Sequence, residues 1–294
     1  GVRHPIQDKK TLVVELYDPQ DSERNKLLME ELGVPQRTFY DWTSQKRSLM
    51  QKQLNKAIAM DLLDPYLTQQ EIAERNGYKS KSKVSEFKDN LSSKIAELAK
   101  IEREELQAAD LDFLIDYKKF IENSLLLYNI WNVSHGDNNS HFGHFPKLFM
   151  KNLLYYHTRP FDLIYDPFAG SGTTIDACRE MFRKCIVSDL KPDKSRPEIF
   201  EHDITMGLPD NLPKPDMVFL DPPYWIQAKG KYSDNEKDLA NMSLDDFYKT
   251  MNHLFDEIAD RKISKIALVI SPTQYPNRDN KGEPKDAFVA SQIF

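Results

Sequence analysis

The chain has 294 residues, 40% of them hydrophobic and 29% charged, with a formal net charge of −6 and two cysteines. That composition suits a folded protein of one large and one small domain in a reducing, cytoplasmic setting, and argues against a disulfide framework. The longest apolar runs, such as Met217–Leu220 and Ile266–Ile270, are strand-sized, so neither a membrane span nor a signal peptide is expected, and the acidic balance gives no overall sign of nucleic-acid binding.

Residues 1–91 are polar and helical in pattern. Ser22–Lys46 reads as helix, tight turn, helix: Leu27, Leu28 and Leu32 fall at helical spacing, Gly33 makes the turn, and Pro35 opens a second helix carrying Phe39 and Trp42. This second helix displays Gln36, Arg37, Thr38, Tyr40 and Asp41, with Lys46 and Arg47 just past its end. Such side chains reach base edges and phosphates from a helix in the major groove. A second pair spans Leu67–Leu91, where Thr68 and Glu71 form a capping-box pattern, Ile72 and Ala73 supply an apolar face, and Gly77 fits the turn. Ser80–Phe87 makes the next helix, flanked by Lys79, Lys81, Lys83 and Lys88. The alternative for both pairs is a bundle of ordinary short helices with a solvated lysine face. The string TQQEIAERNGYKSKSKVSEF resembles the helix-turn-helix region of bacterial regulators and partition-type DNA-binding proteins. That resemblance implies an all-α domain that binds double-stranded DNA.

Residues 92–131 read as a long charged helical stretch with a broken apolar stripe: Ile95, Leu98, Ile101, Leu106, Leu111, Leu114 and Ile115. Either a connector packed on one domain or a dimer seam fits, and the irregular spacing favours the connector while leaving a homodimer open. From residue 132 to 294 short β-rich runs alternate with helices, at Leu163–Tyr165, Cys185–Val187, Met217–Leu220 and Ile266–Ile270. That alternation predicts a mostly parallel, doubly wound α/β sheet.

Two motifs stand in this region: DPFAGSGTT at Asp166–Thr174 and DPPYW at Asp221–Trp225. The first follows the apolar strand Phe161–Tyr165, and Gly170 and Gly172 in its turn let a ligand approach the backbone at the carboxyl end of the strand. It contains no GxxxxGK[ST] phosphate loop, and GxGxxG fails because Thr174 and Ile175 follow Gly172. DPFAGSGTT resembles the S-adenosyl-L-methionine-binding motif of the DNA amino-methyltransferases, which modify adenine N6 or cytosine N4. The resemblance implies a Rossmann-like methyltransferase domain. It assigns cofactor contacts to Asp166, Pro167, Phe168, Ala169, Gly170, Ser171, Gly172, Thr173 and Thr174, and to Phe145 and Pro146 in the helix and loop just upstream. Asp189, at the end of KCIVSDL, resembles the family's acid for the ribose hydroxyls, and Asp203 in EHDI the acid near the cofactor adenine. Each is also explicable as a strand-end or helix-cap aspartate.

In DPPYW, two prolines fix the backbone and remove amide donors, so the loop presents carbonyls. An exocyclic amine is a poor nucleophile, and a carboxylate and a carbonyl accepting its two N–H bonds would hold it toward tetrahedral geometry. Asp221, Pro222 and Pro223 match that task in the family. Tyr224 matches the residue that stacks on the flipped base, with Trp225 beside it. Cytosine C5 methylation needs a thiol, usually after a proline, whereas Cys178 and Cys185 follow Ala177 and Lys184. In the family an Asp or Asn before Pro-Pro is more typical of adenine N6 and a Ser of cytosine N4, so Asp221 leans the resemblance to adenine. Cytosine N4, an RNA or protein amide nitrogen, and a DNA-binding regulator with a vestigial cofactor fold are the alternatives.

The two motifs are too close for a target-recognition domain between them, so sequence reading falls to the N-terminal helices or to a region beyond Phe294. Ser271–Phe294 is short for the last two strands of the family's sheet, and with no initiator Met the chain reads as a piece of something longer. His141, His144 and His157 lack metal-ligand spacing, so no metal is expected. The resemblance implies work on DNA at the nucleoid, with a cognate restriction nuclease as an open partnership.

Overall fold

The computed structural model describes residues 6–19, 21–127, 146–223, 234–269, 277–278 and 284–285. The chain divides into two compact units, Gly1–Leu62 with Tyr66–Glu122, and Leu63–Pro65 with Asn123–Phe294. No helix among the described residues is long and apolar enough to cross a membrane.

The first unit is helical: α1 (Ile6–Leu16), α2 (Ser22–Leu32), α3 (Gln36–Trp42), α4 (Ser44–Asp61), α5 (Gln69–Arg75), α6 (Ser82–Ala96), α7 (Arg103–Ala108) and α8 (Ile115–Asn123). Val13, Tyr17, Leu28, Val34 and Phe39 form one buried cluster that holds the first three helices together. Gly33 ends α2 at φ 60°, where a Cβ is disfavoured, and lets Val34 N–H reach Met29 O at 3.0 Å. Lys46 and Arg47, expected just past a helix end, lie instead in the first turn of α4. Buried Thr43 bonds Phe39 O through its hydroxyl at 2.9 Å, and the chain turns there with no intervening loop. In the second pair Thr68 and Glu71 form the expected capping box, and α6 runs on to Ala96.

The stretch after Leu91 is not one long helix. Extended Ile101 and left-handed Asp110, at φ 57°, break it into short pieces. Leu98, Leu106, Leu111 and Leu114 are all at most 5% exposed, and a single helix could not bury them on one face at that spacing. The buried Lys118 ammonium reaches Leu98 O at 3.4 Å and Glu122 at 2.9 Å, fastening α8 to the 3-10 turn (Leu98–Lys100) that follows α6.

The second unit is α/β. Strands β1 (Leu163–Asp166), β2 (Lys184–Asp189), β3 (Ile199–Glu201), β4 (Met217–Leu220) and β5 (Ile266–Leu268) form a parallel sheet in the order β3-β2-β1-β4-β5. Strand β3, three residues long, was not legible from periodicity. Two short segments, β6 (Asn277–Arg278) and β7 (Pro284–Lys285), pair antiparallel. Helices α9 (Lys147–His157) and α10 (Thr173–Glu180) lie side by side, tied by Lys147 and Lys151 to Glu180 at 2.7 and 3.0 Å. Alternation along the strands sorts side chains to two faces. Val187 and Ile199 pack with Ile175 of α10, whereas Leu163, Tyr165, Val218 and Leu220 pack with Phe247, Met251, Leu254 and Ile258 of α11 (Leu244–Asp260). A sheet covered on both faces accounts for strands that are almost wholly apolar.

Arg183, 2% exposed, joins the end of α9 to the entry of β2. Its guanidinium donates to Thr158 Oγ1 and Thr158 O, both at 2.9 Å, to Leu154 O at 3.2 Å and to Met181 O. Arg183→Met keeps the stem but strands these carbonyls, and should lower the unfolding free energy in urea titration by about 3 kcal/mol. An unshifted midpoint would mean that the carbonyls find other donors.

Candidate functional site

In the order β3-β2-β1-β4-β5 the chain runs outward from β1 through β2 to β3, then crosses back to β4 on the other side of β1. The switch point lies between β1 and β4, and in open parallel sheets ligands bind at the carboxyl ends of the strands flanking such a point. Ile164 pairs with Met217 and Tyr165 with Val218. The turn opened by Asp166 and the turn opened by Asp221 therefore leave neighbouring strands at the same edge.

The first turn is held by buried polar bonds. Asp166, 2% exposed, accepts from Phe168 N–H at 2.8 Å and from the Thr174 hydroxyl at 2.6 Å, joining β1, the turn and α10. Burial pushes its carboxyl up to about 7; the Thr174 and Phe168 hydrogen bonds oppose that rise and the Asp189 charge adds to it. Gly170 and Gly172 adopt φ 50° and 84°, which L side chains rarely take. Among the described residues a Cβ at Gly170 would meet Phe168 O alone, at 4.0 Å, so they leave the backbone there open to a ligand. Thr174 is buried beneath the turn, and Pro146 caps the start of α9. Phe145 lies outside the described residues.

Asp189 ends β2 and accepts from Gly170 N–H and Lys191 N–H, both at 2.9 Å, so the turn after β1 is latched to the end of its neighbour. Burial raises its pKa against those two bonds, and Asp238 adds to the rise. Asp203, just after β3, accepts from the Thr205 hydroxyl at 2.6 Å and pairs with the Lys237 ammonium at 2.7 Å. Burial opposes ionisation, but Lys237 and Thr205 outweigh it and hold this carboxyl below its usual range. Helix α11 anchors the segment that follows: Glu257 accepts from Leu208 N–H at 2.7 Å, and Arg261 donates to Leu208 O and Pro209 O at 3.0 and 2.9 Å. Asp221 and Pro223 are half-buried and Pro222 buried beyond the end of β4; Tyr224 and Trp225 lie outside the described residues.

In the helical unit, Gln36 and Arg37 are exposed at the start of α3, Thr38 is half-buried, and Tyr40 is exposed with the Arg47 guanidinium 5.0 Å over its ring. Arg47 also donates to Tyr40 O at 3.0 Å, and the Lys46 ammonium donates to Val14 O and Glu15 O at 2.6 and 2.9 Å. Lys79 and Lys81 are exposed; Lys83, also exposed, pairs with Glu86 at 3.0 Å.

A family model described as DNA methylase, of the N6/N4 methyltransferase type, matches residues 2–196, about two-thirds of the chain. The chain belongs to this family. The match takes in the helical unit, the first motif and Asp189, and stops short of Asp203 and Asp221. The chain is also similar to the type II methyltransferase M.SmaI of Serratia marcescens, 34% identical over 65 residues, 22% of this chain and 22% of that protein. The alignment thus spans about a fifth of that relative's length. No solved structure matches.

Within this family member, sequence reasoning missed Lys237, which pairs with Asp203, and Arg196, which lies over Gly172. An isolated lysine or arginine in a polar loop carries no pattern, and only the folded chain brings either to its partner.

The elevated Asp166 pKa implies that this carboxyl holds a proton in the folded chain across a window in which the unfolded chain has lost it. Its contribution to stability should therefore fall as pH rises from about 4 to 7 and stay level on either side. Urea unfolding of wild type and Asp166→Asn across that range should show wild type losing ground to the variant. Parallel curves would place the proton elsewhere.

Proposed function

We propose that the protein transfers the methyl group of S-adenosyl-L-methionine to the exocyclic N6 of adenine at a specific sequence in double-stranded DNA. The observation that carries this reading is the pairing of β1 with β4, which sets the glycine turn beside Asp221-Pro222-Pro223 at the switch point. Membership of the DNA methylase family supports the same chemistry.

The residues present fit the cofactor. Among the described residues the Gly170 backbone is open, and Asp189 has lone pairs beyond those used by two amides, enough to accept from ribose hydroxyls. Asp203 suits an adenine amino group, which would share the carboxylate with Lys237 or displace it. When bound, the cofactor supplies a methyl group activated on a sulfonium. The chain's task is then positional: Asp221 would accept one amino hydrogen of the target base and the Pro222 carbonyl the other, directing the nitrogen lone pair at the methyl carbon, so that the N–C bond would form as the carbon–sulfur bond breaks and the surplus amino proton would leave to solvent. Tyr224 is assigned to stack on a base that must leave the duplex to be reached, and Trp225 to assist it. The acidic residue before Pro-Pro is the basis for adenine over cytosine.

A tritiated-methyl transfer assay with nucleoside analysis tests the target. N6-methyladenine is expected, N4-methylcytosine would move the assignment to cytosine, and no DNA product from a preparation that binds cofactor would overturn it. Asp221→Ala should lower turnover by at least about 100-fold while cofactor affinity, read by calorimetry, stays within about twofold.

DNA contact is assigned to the two helix pairs, chiefly α5–α6, where Lys79, Lys81 and Lys83 are exposed. At the first pair, Gln36, Arg37, Thr38 and Tyr40 are the contacts, while Lys46 and Arg47 support the helices. Replacing Lys79, Lys81 and Lys83 together by Ala should flatten the salt dependence of duplex binding by about 3 in log–log slope. Lys46→Ala should leave that slope unchanged, and the reverse pattern would move the interface to the first pair.

A further inference from the structure

We infer that Arg196 is a positioning residue for cofactor binding: it clamps the glycine turn from the back and holds it in the conformation that faces the ligand. The inference rests on the reading of this turn as the S-adenosyl-L-methionine site. Arg196 comes from the connection between β2 and β3, far in sequence from the turn. Its Nη1 donates to Ser171 O at 3.4 Å, and its two terminal nitrogens bond Asp176 of α10 at 3.3 and 3.0 Å. Its Nε lies 3.6 Å from Glu198, next to β3. One side chain, 21% exposed, thus joins three segments: the turn, the helix it opens and the lead-in to the next strand.

The contact with Gly172 is close enough to explain the residue. A Cβ there would stand 2.9 Å from Cζ and 3.1 and 3.2 Å from the terminal nitrogens of Arg196. A side chain at 172 would have to displace the guanidinium, the far end of a flexible side chain, so it is the left-handed φ of 84° that requires glycine here and the arginine that lies against the backbone it leaves bare.

Two carboxylates, Asp176 and Glu198, balance the guanidinium, so it has no surplus charge with which to recognise an anion. Its role is mechanical. A turn with glycines at 170 and 172 has more backbone freedom to lose than the same turn with other residues at those two positions. Restricting it before the ligand arrives reduces the ordering that binding would otherwise require. Bidentate bonding to Asp176 makes the restraint directional in a way that a lysine cannot fully reproduce.

Calorimetric titration of S-adenosyl-L-methionine and of its demethylated product into wild type, Arg196→Ala, Arg196→Lys and Asp176→Asn tests the clamp. Amide exchange at Gly170–Thr173 is measured without ligand. Arg196→Ala should weaken both ligands about tenfold, equivalent to about 1.4 kcal/mol. Exchange in the turn should quicken, with kcat at saturating cofactor and the KM for DNA unchanged. Arg196→Lys should recover part of the affinity, and Asp176→Asn should move it in the same direction as the alanine variant. Unchanged affinity and exchange in Arg196→Ala overturn the inference. If that variant does not fold, unchanged values in Asp176→Asn do so. A wild type that binds neither ligand defeats the cofactor reading instead, and the exchange comparison then decides whether the arginine restrains the turn.

Discussion

The parallel pairing of β1 with β4 is the constraint on which the functional unit depends. These strands are separated in the chain by α10, β2 and β3, yet Ile164 lies beside Met217 and Tyr165 beside Val218. The pairing is enforced from both faces. Leu163, Tyr165, Val218 and Leu220 bury their side chains against α11, while Met217 and Phe219, nearly inaccessible, point the other way. A slip of one residue would exchange the two faces of β4 and send its carboxyl-terminal turn in the wrong direction. With the register set, both aspartates that end the apolar strands arrive at one edge.

Around that edge the backbone turns are shaped by carboxylates bonded to main-chain amides. Asp166 organises its own turn through Phe168 and Thr174, Asp189 holds Gly170 from the next strand, and Asp203 holds Thr205. These bonds satisfy donors that loops over a sheet edge would otherwise leave unpaired. The same acids that a family resemblance assigns to a ligand thus have structural work first. Burial without a full counter-charge is why the carboxyls of Asp166 and Asp189 are pushed upward, whereas Lys237 reverses the sign at Asp203.

The helical unit shows how a basic residue can serve the fold before any partner. Lys46 donates to carbonyls at the end of α1, a favourable place for a cation, and Arg47 lies against Tyr40. Sequence patterns that count lysines and arginines near a helix cannot separate these from exposed Lys79 and Lys81, because the distinction is which neighbours the helix meets. The acidic total charge conceals the same division of labour, since many carboxylates are matched within the chain, as with Arg103 and Glu122 at 2.6 Å.

Local signals in the sequence carried far. Apolar runs of three to five residues located four of the five strands of the main sheet, the Thr68–Glu71 capping box was readable from spacing alone, and the glycine turn and the Asp-Pro-Pro turn announced themselves as motifs. Each depends on residues close in the chain, where propensity, capping and backbone restriction act directly. What lay beyond reach was long-range. The three-residue β3 has too little periodicity to detect, and the breaks at Ile101 and Asp110 follow from burying leucines that share no helical face. Arg196 over Gly172 and Lys237 on Asp203 are pairings across loops, specified by where the sheet puts them. The sequence by itself located most of the elements and the two motif turns; only the tertiary structure decided that those turns share an edge and which charges are already engaged, because strand order and side-chain partners are set by packing between segments distant in the chain.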